Sequence, residues 1–246
     1  MNSQKYWVRL AKKAPPSVRR FVFMSRPLLK LLNHEFFGHD QLDRKLLDYL
    51  DLSRPGFFVE LGANNGVAQS NTKHLELYHS WQGVLVEPYP ANFEQLKMTR
   101  SRKTRFFWAA CVSFQFKEPS VKLIYSNLMT IAKGLENDKK NVDEWAKSGA
   151  KFLDENSSPH EFTAPARTLQ SILEEAIAPR KIDLLSLDVE GAEMEVLKGI
   201  DWKYFSFDFI CIETDSFEAI KEFLLPFGYS FRLKLSDHDY LFESGK

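Results

Sequence analysis

The chain has 246 residues, of which 44% are hydrophobic and 27% are charged, and it carries 33 basic against 33 acidic side chains. This length and composition predict one large folded domain, alone or with an arm, and exclude wholesale disorder. The most apolar stretch near the start, Phe21–Met24, is soon followed by Arg26 and Pro27. We therefore expect neither a membrane-spanning helix nor a secretory signal.

Charge is unevenly distributed along the chain. Residues 1–34 contain eight basic residues and no acidic one, whereas the remaining residues carry 25 basic and 33 acidic side chains. We predict a basic arm over residues 1–34, which Pro15-Pro16 and Pro27 prevent from forming one helix, and a folded domain over residues 35–246. The arm could contact an anionic surface, a peripheral membrane or a partner, but a flexible solubilising tail is the favoured interpretation. Its removal should then leave ligand binding intact.

Apolar periodicity predicts helices and strands in alternation through the first half of the domain. A helix that carries Leu42, Leu46 and Leu50 ends before Pro55-Gly56. The elements predicted after it are a strand at Phe57–Leu61, a helix from about Val67 to Tyr78, a strand at Gly83–Glu87, a helix around Phe93 and Leu96, and an apolar run at Phe106–Val112.

Residues 113–166 interrupt this alternation. Apart from a candidate strand at Val121–Tyr125 they show no clear pattern, and we interpret them as a variable insert that could form a substrate lid. Thr168 then suits the N-cap of a helix. The elements predicted after that helix are a strand at Ile182–Leu187, a helix at Gly191–Lys198, a strand at Phe207–Glu213, a helix at Phe217–Pro226, and a hairpin of Gly228–Leu235 with His238–Phe242.

Strands that alternate with helices predict a doubly wound α/β fold, with a mostly parallel sheet that ends in an antiparallel hairpin strand. In such sheets, ligands bind beyond the carboxyl ends of the strands, at the point where the strand order reverses. The residues that follow each predicted strand are therefore the candidate site residues.

The first strand runs into Gly62-Ala63-Asn64-Asn65-Gly66, in which two glycines permit a tight turn and a close approach to a ligand. A dinucleotide-binding loop would need the pattern G-x-G-x-x-G, which this loop does not have. An ordinary strand–helix turn is the alternative. Glu87, however, ends the second strand 21 residues beyond Gly66. An acidic residue about 20 positions after such a loop is suited to binding the hydroxyls of a ribose.

Three carboxylates, Asp188, Glu190 and Glu193, lie within six residues directly after the strand Ile182–Leu187. Crowding them is costly unless solvent, cations or hydrogen-bond donors are near. Glu190 and Glu193 could simply favour a helix start, where the dipole stabilises negative charge. Asp188 precedes that helix and is expected at the ligand-facing edge of the sheet, so we favour a functional role for the group.

Three segments resemble the FkbM-type methyltransferase family: Phe58–Gly66, Val86-Glu87-Pro88, and Leu185–Glu193 with Val196-Leu197-Lys198-Gly199 after it. The resemblance covers about residues 57–242. It implies a class I, Rossmann-like fold of seven strands with the last one reversed, and S-adenosylmethionine as cofactor. The cofactor-binding residues that it implies are Glu60, Gly62, Ala63, Asn64, Gly66 and Glu87, and it places Asp188 near the sulfonium.

Members of this family methylate hydroxyl oxygens of sugars or polyketides, so the resemblance implies O-methylation of a saccharide or a small hydroxylated metabolite. Removing the proton of the acceptor hydroxyl calls for a general base, and Asp188 and Glu190 are our candidates. His160 and His238 are not included. Alternatively, the carboxylates could hold a divalent metal ion. The sequence identifies no further ligand for such an ion, and we assign no metal site. A non-catalytic interaction module and a nucleic-acid methyltransferase are the other functions considered, and nucleic acid is the less expected partner because the domain is acidic.

Two further groups receive structural interpretations. Arg100, Arg102, Lys103 and Arg105 follow a predicted helix, where cations are favourable, and we interpret them as its solvated end rather than as a site for an anionic acceptor. Cys111 and Cys211 both lie in apolar runs, which favours buried free thiols over a disulfide and hence a reducing compartment, the cytoplasm.

Overall fold

A computed structural model describes residues 15–31, 35–139, 141–153 and 157–245. Its centre is a seven-stranded sheet. The strands of this main sheet are β1 (Phe57–Leu61), β2 (Gln82–Glu87), β3 (Arg105–Trp108), β8 (Lys181–Leu187), β9 (Ser206–Glu213), β10 (Tyr229–Lys234) and β11 (Asp239–Ser244).

The strand order is β10-β11-β9-β8-β1-β2-β3, and β11 alone among these seven strands runs against its neighbours. The order reverses between β1 and β8, which pair in parallel, so the carboxyl ends of these two strands bound the switch-point crevice. This topology confirms the predicted doubly wound sheet with an antiparallel hairpin strand. The hairpin folds so that its second strand lies next to β9.

Helices cover both faces of the sheet, because the inner strands are buried on both sides. The helices of the domain are α3 (Leu42–Leu46), α4 (Lys73–His79), α5 (Pro90–Thr99), α7 (Leu169–Glu175), α8 (Glu193–Leu197) and α9 (Phe217–Leu224). One core cluster packs around α7, α8 and α9, and a second packs around α3 and α5. Thr168 caps α7 as predicted, with its side chain accepting a hydrogen bond from the Ser171 amide.

The helix expected from Val67 begins six residues later, at Lys73. Side chains take the backbone amides of the intervening segment away from a helical pattern. The Asn65 carboxamide oxygen accepts from Val67 and Ala68 at 3.0 and 2.9 Å, and Glu60 accepts from Asn71 at 2.8 Å. Such local side-chain bonds compete with helix formation, which is why apolar spacing alone placed the helix start too early.

The insert forms a second sheet of its own. Its strands, in the order β4-β7-β5-β6, are β4 (Ala110–Cys111), β5 (Ser120–Tyr125), β6 (Ile131–Lys133) and β7 (His160–Arg167), and helix α6 (Val142–Ser148) accompanies them. The predicted strand Val121–Tyr125 corresponds to β5. The apolar run Phe106–Val112 splits between the two sheets, and Trp108 and Ala110 lie on either side of the division. Cys111 and Cys211 are buried free thiols, as predicted.

The described part of the arm packs against the domain. Helices α1 (Pro16–Met24) and α2 (Arg26–Leu31) meet near Pro27, which confirms that the arm is not one helix. Phe23 and Leu29 are 1% and 0% exposed and share a cluster with Val67. The flexible-tail interpretation is therefore wrong for residues 16–31, while residues 1–14 and 32–34 lie outside the described residues. No helix in the described chain is long and apolar enough to cross a membrane. The arm's contact with an anionic surface, the boundary at residue 34 and the cytoplasmic location stay predictions.

Two phenylalanines on opposite sides of α1 test this packing. Phe23 is buried, whereas Phe21 is 68% exposed. Phe23→Ala should lower the free energy of unfolding by on the order of 3 kcal/mol because it removes a buried aromatic ring. Phe21→Ala should change it by less than about 0.5 kcal/mol. Urea titration of both variants measures the difference, and equal stabilities would show that α1 does not dock.

Candidate active site

A cavity opens at the switch point, between the carboxyl ends of β1, β2 and β8 and the insert. Both parts contribute apolar side chains to the wall: Leu61, Val86 and Val189 come from the main-sheet side, and Leu123, Leu128 and Leu135 come from the insert. The lining residues that matter below are Gly62, Asn64, Gln69, Glu87, Asn127, Leu128, Thr130, Leu135, Asp188 and Glu190.

Gly62 sits where the β1 loop crosses the end of β8. Its φ is +77°, and a Cβ at this position would lie 1.9 Å from the carbonyl oxygen of Asp188. No other residue type fits, because any side chain would collide with the Asp188 backbone and favour a different φ. This close approach brings the loop and the acidic segment together at one cavity wall.

Glu87 ends β2 with its carboxylate in the cavity wall, 4% exposed. One oxygen accepts from the Asn64 amide at 2.8 Å, and the other accepts from the Tyr89 amide at 2.9 Å. Burial raises the pKa of Glu87 to about 7, although the bonds from Tyr89 and Asn64 oppose the shift. The sheet thus supplies a fixed, buried acceptor of the kind that pairs with neighbouring hydroxyl groups.

Three residues that the resemblance assigned to the cofactor do not line the cavity. Gly66 lies against α5, where a Cβ would come within 2.8 Å of Leu96, Thr99 and Arg100. Ala63 belongs to the core cluster around α5. Glu60 points to the side of β1 away from the cavity, because neighbouring strand residues face opposite sides. In the structure their contacts hold the loop in place, and their assignment to the cofactor stays a prediction.

Glu60 belongs instead to a buried ion network. Its carboxylate accepts from Ser70 and from the Arg100 guanidinium at 3.1 and 3.2 Å. Arg100 also lies 3.2 Å from Glu76, which pairs with Lys73 at 3.3 Å. Burial by itself raises the pKa of Glu76, but the charges of Arg100 and Lys73 outweigh it, so its pKa lies below the usual value.

This network corrects the interpretation of the basic run. Arg100 is 0% exposed, so it is no solvated helix end, whereas Arg102, Lys103 and Arg105 are exposed as expected. Buried charges persist only where they are paired and hydrogen-bonded, as these are. By bonding to Ser70, Asn71 and Thr72 as well, the network fixes the segment between the glycine loop and α4.

A group of carboxylates lies at the ends of three adjacent strands. β8 pairs with β9, where Leu187 lies beside Ile212, so Asp188 and Glu213 follow at the same edge of the sheet. β9 also pairs with β11, where Glu213 lies opposite Asp239. Burial raises the pKa of Asp188 well above its usual value, and the neighbouring Glu213, Glu190, Glu193 and Asp239 raise it further. Burial, together with Asp239, raises the pKa of Glu213.

The sequence did not predict Glu213 and Asp239 as part of this group. Glu213 ends a predicted strand, which is a signal of the same kind as Asp188. Asp239 begins a strand, and it reaches the same edge of the sheet because β11 runs in the opposite direction. Among the predicted acidic residues, Glu193 has a structural role, since its carboxylate accepts from the amides of Val189 and Gly191 at 3.2 and 3.0 Å.

His160 and His238, which were not among the candidate catalytic residues, make contacts outside the cavity wall. His160 lies 3.3 Å from the Tyr89 hydroxyl and packs against Tyr89 and Tyr125. His238 pairs with Asp215 at 3.0 Å. Within the described residues, no group of three or more histidine, cysteine, aspartate or glutamate side chains is arranged to hold a metal ion.

A sequence model described as the methyltransferase FkbM domain matches residues 60–242. The chain belongs to the FkbM methyltransferase family. The match covers both the glycine loop and the acidic segment at the switch point, and it makes this chain an S-adenosylmethionine-dependent methyltransferase of the FkbM type.

Individual relatives are more distant. The chain is 27% identical over 188 residues to Methyltransferase 1 of Beauveria bassiana, covering 74% of this chain and 72% of that protein. Among solved structures, the FkbM methyltransferase of Methylobacillus flagellatus is 14% identical, with a TM-score of 0.45 over 96% of this chain and 57% of that one. The precorrin-6y C5,15-methyltransferase of Geobacter metallireducens is 13% identical, with a TM-score of 0.44 over 86% of this chain and 94% of that one. Both scores are low, so the family assignment depends on the domain match.

Two glutamates on neighbouring strands give a matched test of the site. Glu87→Gln should weaken S-adenosylmethionine binding at least tenfold, because a carboxamide is a poorer acceptor for two hydroxyls. Its free energy of unfolding at alkaline pH should stay equal or rise, since ionising this buried carboxylate disfavours the folded state. Glu60→Gln should lower the free energy of unfolding by on the order of 3 kcal/mol, because it breaks a buried ion pair.

Calorimetry and urea titration of both variants separate the two roles. The folded fraction of Glu60→Gln should bind the cofactor with the affinity of the wild type. If Glu60→Gln lost binding while Glu87→Gln kept it, Glu60 rather than Glu87 would hold the cofactor.

Proposed function

We propose that this protein is an O-methyltransferase that acts on a hydroxyl group of an uncharged saccharide or small hydroxylated metabolite. The observation that carries the proposal is the pair Asp188 and Glu190, two carboxylates with raised pKa values in the wall of the same cavity as the glycine loop. Carboxylates poised in this way are suited to accept a proton near neutral pH.

Two features support S-adenosylmethionine as the ligand of this cavity. Gly62 brings the loop after β1 to the cavity wall, and Glu87, fixed by the Asn64 amide, offers a buried carboxylate to the ribose hydroxyls. In this proposal Gly62, Asn64 and Glu87 hold the cofactor directly, while Glu60, Ala63 and Gly66 hold the loop. When bound, S-adenosylmethionine supplies an electrophilic methyl group on a sulfonium.

The residues of this chain supply the base and the orientation. Methylation of a hydroxyl oxygen forms a C–O bond as the methyl–sulfur bond of the cofactor breaks to leave a neutral thioether, and the hydroxyl proton would pass to Asp188 or Glu190. Burial raises the pKa of Glu190 to about 8, with Glu213 adding to the shift and the Trp145 hydrogen bond and Lys139 opposing it. A cation placed beside these carboxylates lowers their pKa values by Coulombic attraction and so makes the ionised, proton-accepting form more available.

The charge of the cavity favours an uncharged acceptor. Among the described residues that line it, every charged side chain is acidic: Glu87, Asp188 and Glu190. A phosphorylated acceptor or a nucleic-acid backbone would be repelled, since neither finds a basic partner there. The insert adds the apolar side chains of Leu128 and Leu135 beside the polar Asn127 and Thr130, a mixture that suits the alternating faces of a sugar ring.

Transfer of a labelled methyl group onto a panel of acceptors tests the proposal. The panel contains neutral glycosides and polyols, their phosphorylated counterparts, amines and carboxylic acids, together with glycan and lysate fractions. We expect label on a hydroxyl oxygen of a neutral compound, and loss of turnover in Asp188→Ala. Label confined to amines, carboxylates or nucleic acid would contradict the proposal, as would full activity in Asp188→Ala.

The pH dependence of ligand binding tests the carboxylates without an acceptor. S-adenosylhomocysteine lacks the positive sulfonium, so the ratio of the two affinities reports the negative charge nearby. As Glu190 ionises, the preference for S-adenosylmethionine should rise at least fivefold from about pH 6 to about pH 9. Glu190→Gln should flatten this rise. A ratio that does not change with pH would place the sulfonium away from Glu190, and no binding of either ligand would favour a non-catalytic module.

A further inference from the structure

The insert contacts Glu190 through a hydrogen bond from its own helix. The indole Nε1–H of Trp145 in α6 donates to the Glu190 carboxylate at 2.8 Å. Tryptophan has this single donor and no acceptor, so the bond is favourable to the ionised carboxylate above all. A residue far along the chain thus contacts one of the two proposed bases directly.

The insert also holds the backbone of Glu190. Its φ of +57° lies in the left-handed region, which is unfavourable for a residue with a side chain. The Asn137 carboxamide donates to the Glu190 carbonyl at 3.2 Å, and the Asp138 amide donates to the Gly191 carbonyl at 3.0 Å. A Cβ on Gly191 would lie 2.3 Å from the Asn137 carboxamide oxygen. The unusual conformation is therefore secured by contacts from residues 137 and 138.

This part of the insert is itself anchored to the end of β9. The Lys139 ammonium lies 4.3 Å from the Trp145 ring centre and 2.7 Å from the Asp215 carboxylate. The Asp138 carboxylate accepts from the Asp215 amide at 2.8 Å and from the Thr214 hydroxyl at 3.1 Å. The indole is consequently held from two sides before any ligand binds.

Charges from several elements act on Glu190. Glu213 at the end of β9, Glu193 in α8 and Asp188 after β8 disfavour its ionised form, and Lys139 in the insert favours it. Burial is the largest cause of its raised pKa, and the Trp145 bond is the first of the opposing contributions. Removing the indole donor should therefore raise the pKa of Glu190 further.

We propose that Trp145 and Asn137 are positioning residues, which fix the side chain and the backbone of Glu190 at the cavity wall. The insert then serves the reaction as well as the choice of acceptor, because its docking holds a proposed base in place. The role of Glu190 toward the acceptor depends on the proposed function, whereas its coupling to Trp145 can be measured without any reaction.

Proton–nitrogen correlation spectra of the indole groups test the coupling. The chain has five tryptophans, and Trp145→Phe identifies the resonance of Trp145. In the wild type this resonance should shift with a midpoint near pH 8, following Glu190. In Glu190→Gln the shift at that midpoint should disappear. Trp202 is the matched control, because its indole donates to the Leu197 carbonyl at 3.1 Å, and its resonance should not titrate.

The coupling is overturned if the Trp145 resonance does not move near pH 8, or if it moves equally in Glu190→Gln. If Trp145→Phe does not fold, the indole spectra of the wild type and of Glu190→Gln still decide the question. Trp202→Phe then identifies the resonance of Trp202, so that it is not mistaken for the resonance that titrates.

A kinetic measurement tests the positioning role once the acceptor panel has given a substrate. In Trp145→Phe the acidic limb of the rate profile should move upward by about one pH unit, as loss of one hydrogen bond to a charged group implies. Trp202→Phe should leave the midpoint unchanged. If Trp145→Phe lowered the rate but left the midpoint of the acidic limb unchanged, Trp145 would have only a structural role, and the proposal would be contradicted.

Discussion

The contact between Gly62 and the carbonyl oxygen of Asp188 is the constraint on which the site depends. It brings the loop after β1 against the end of β8 at the place where the strand order reverses. A residue with a Cβ would force these two segments apart. Because the loop also places the Asn64 amide on Glu87, the same contact determines where the Glu87 carboxylate and the acidic group lie relative to each other.

Two groups of buried or half-buried carboxylates in this protein have opposite relations to stability. Glu60 and Glu76 are paired with Arg100 and Lys73, so they support the fold. The carboxylates at the cavity, Glu87 and Glu190, have pKa values raised to about 7 and about 8. The folded state holds their protons more tightly than the unfolded chain, so they lower stability as the pH rises from about 4.5 through these values. A bound cation would offset this loss of stability, because it favours the ionised carboxylates. Ligand binding and the ionisation of these carboxylates are therefore coupled.

The rule that ligands bind beyond strand ends predicted most of the site from the sequence. It identified Asp188, Glu190 and Glu87 because each follows a readable apolar strand. The resemblance added Glu60 as a cofactor-binding residue, and the structure pairs its carboxylate with Arg100. A resemblance gives positions along a strand but not the contacts that each side chain makes. The strand-end rule did not identify Asp239, because the position of Asp239 depends on β11 lying between β9 and β10. A hairpin pattern in the sequence does not specify that pairing. The insert and α1 were missed for a similar reason: their packing depends on distant surfaces.

A crystal structure of the complex with S-adenosylhomocysteine tests the central claim, that the switch-point cavity is the cofactor site, most directly. We expect the ligand to lie between the Gly62 loop and the insert, with its ribose hydroxyls bonded to the Glu87 carboxylate and its sulfur facing Asp188. A ligand bound elsewhere, or one in this cavity whose ribose does not contact Glu87, would contradict it.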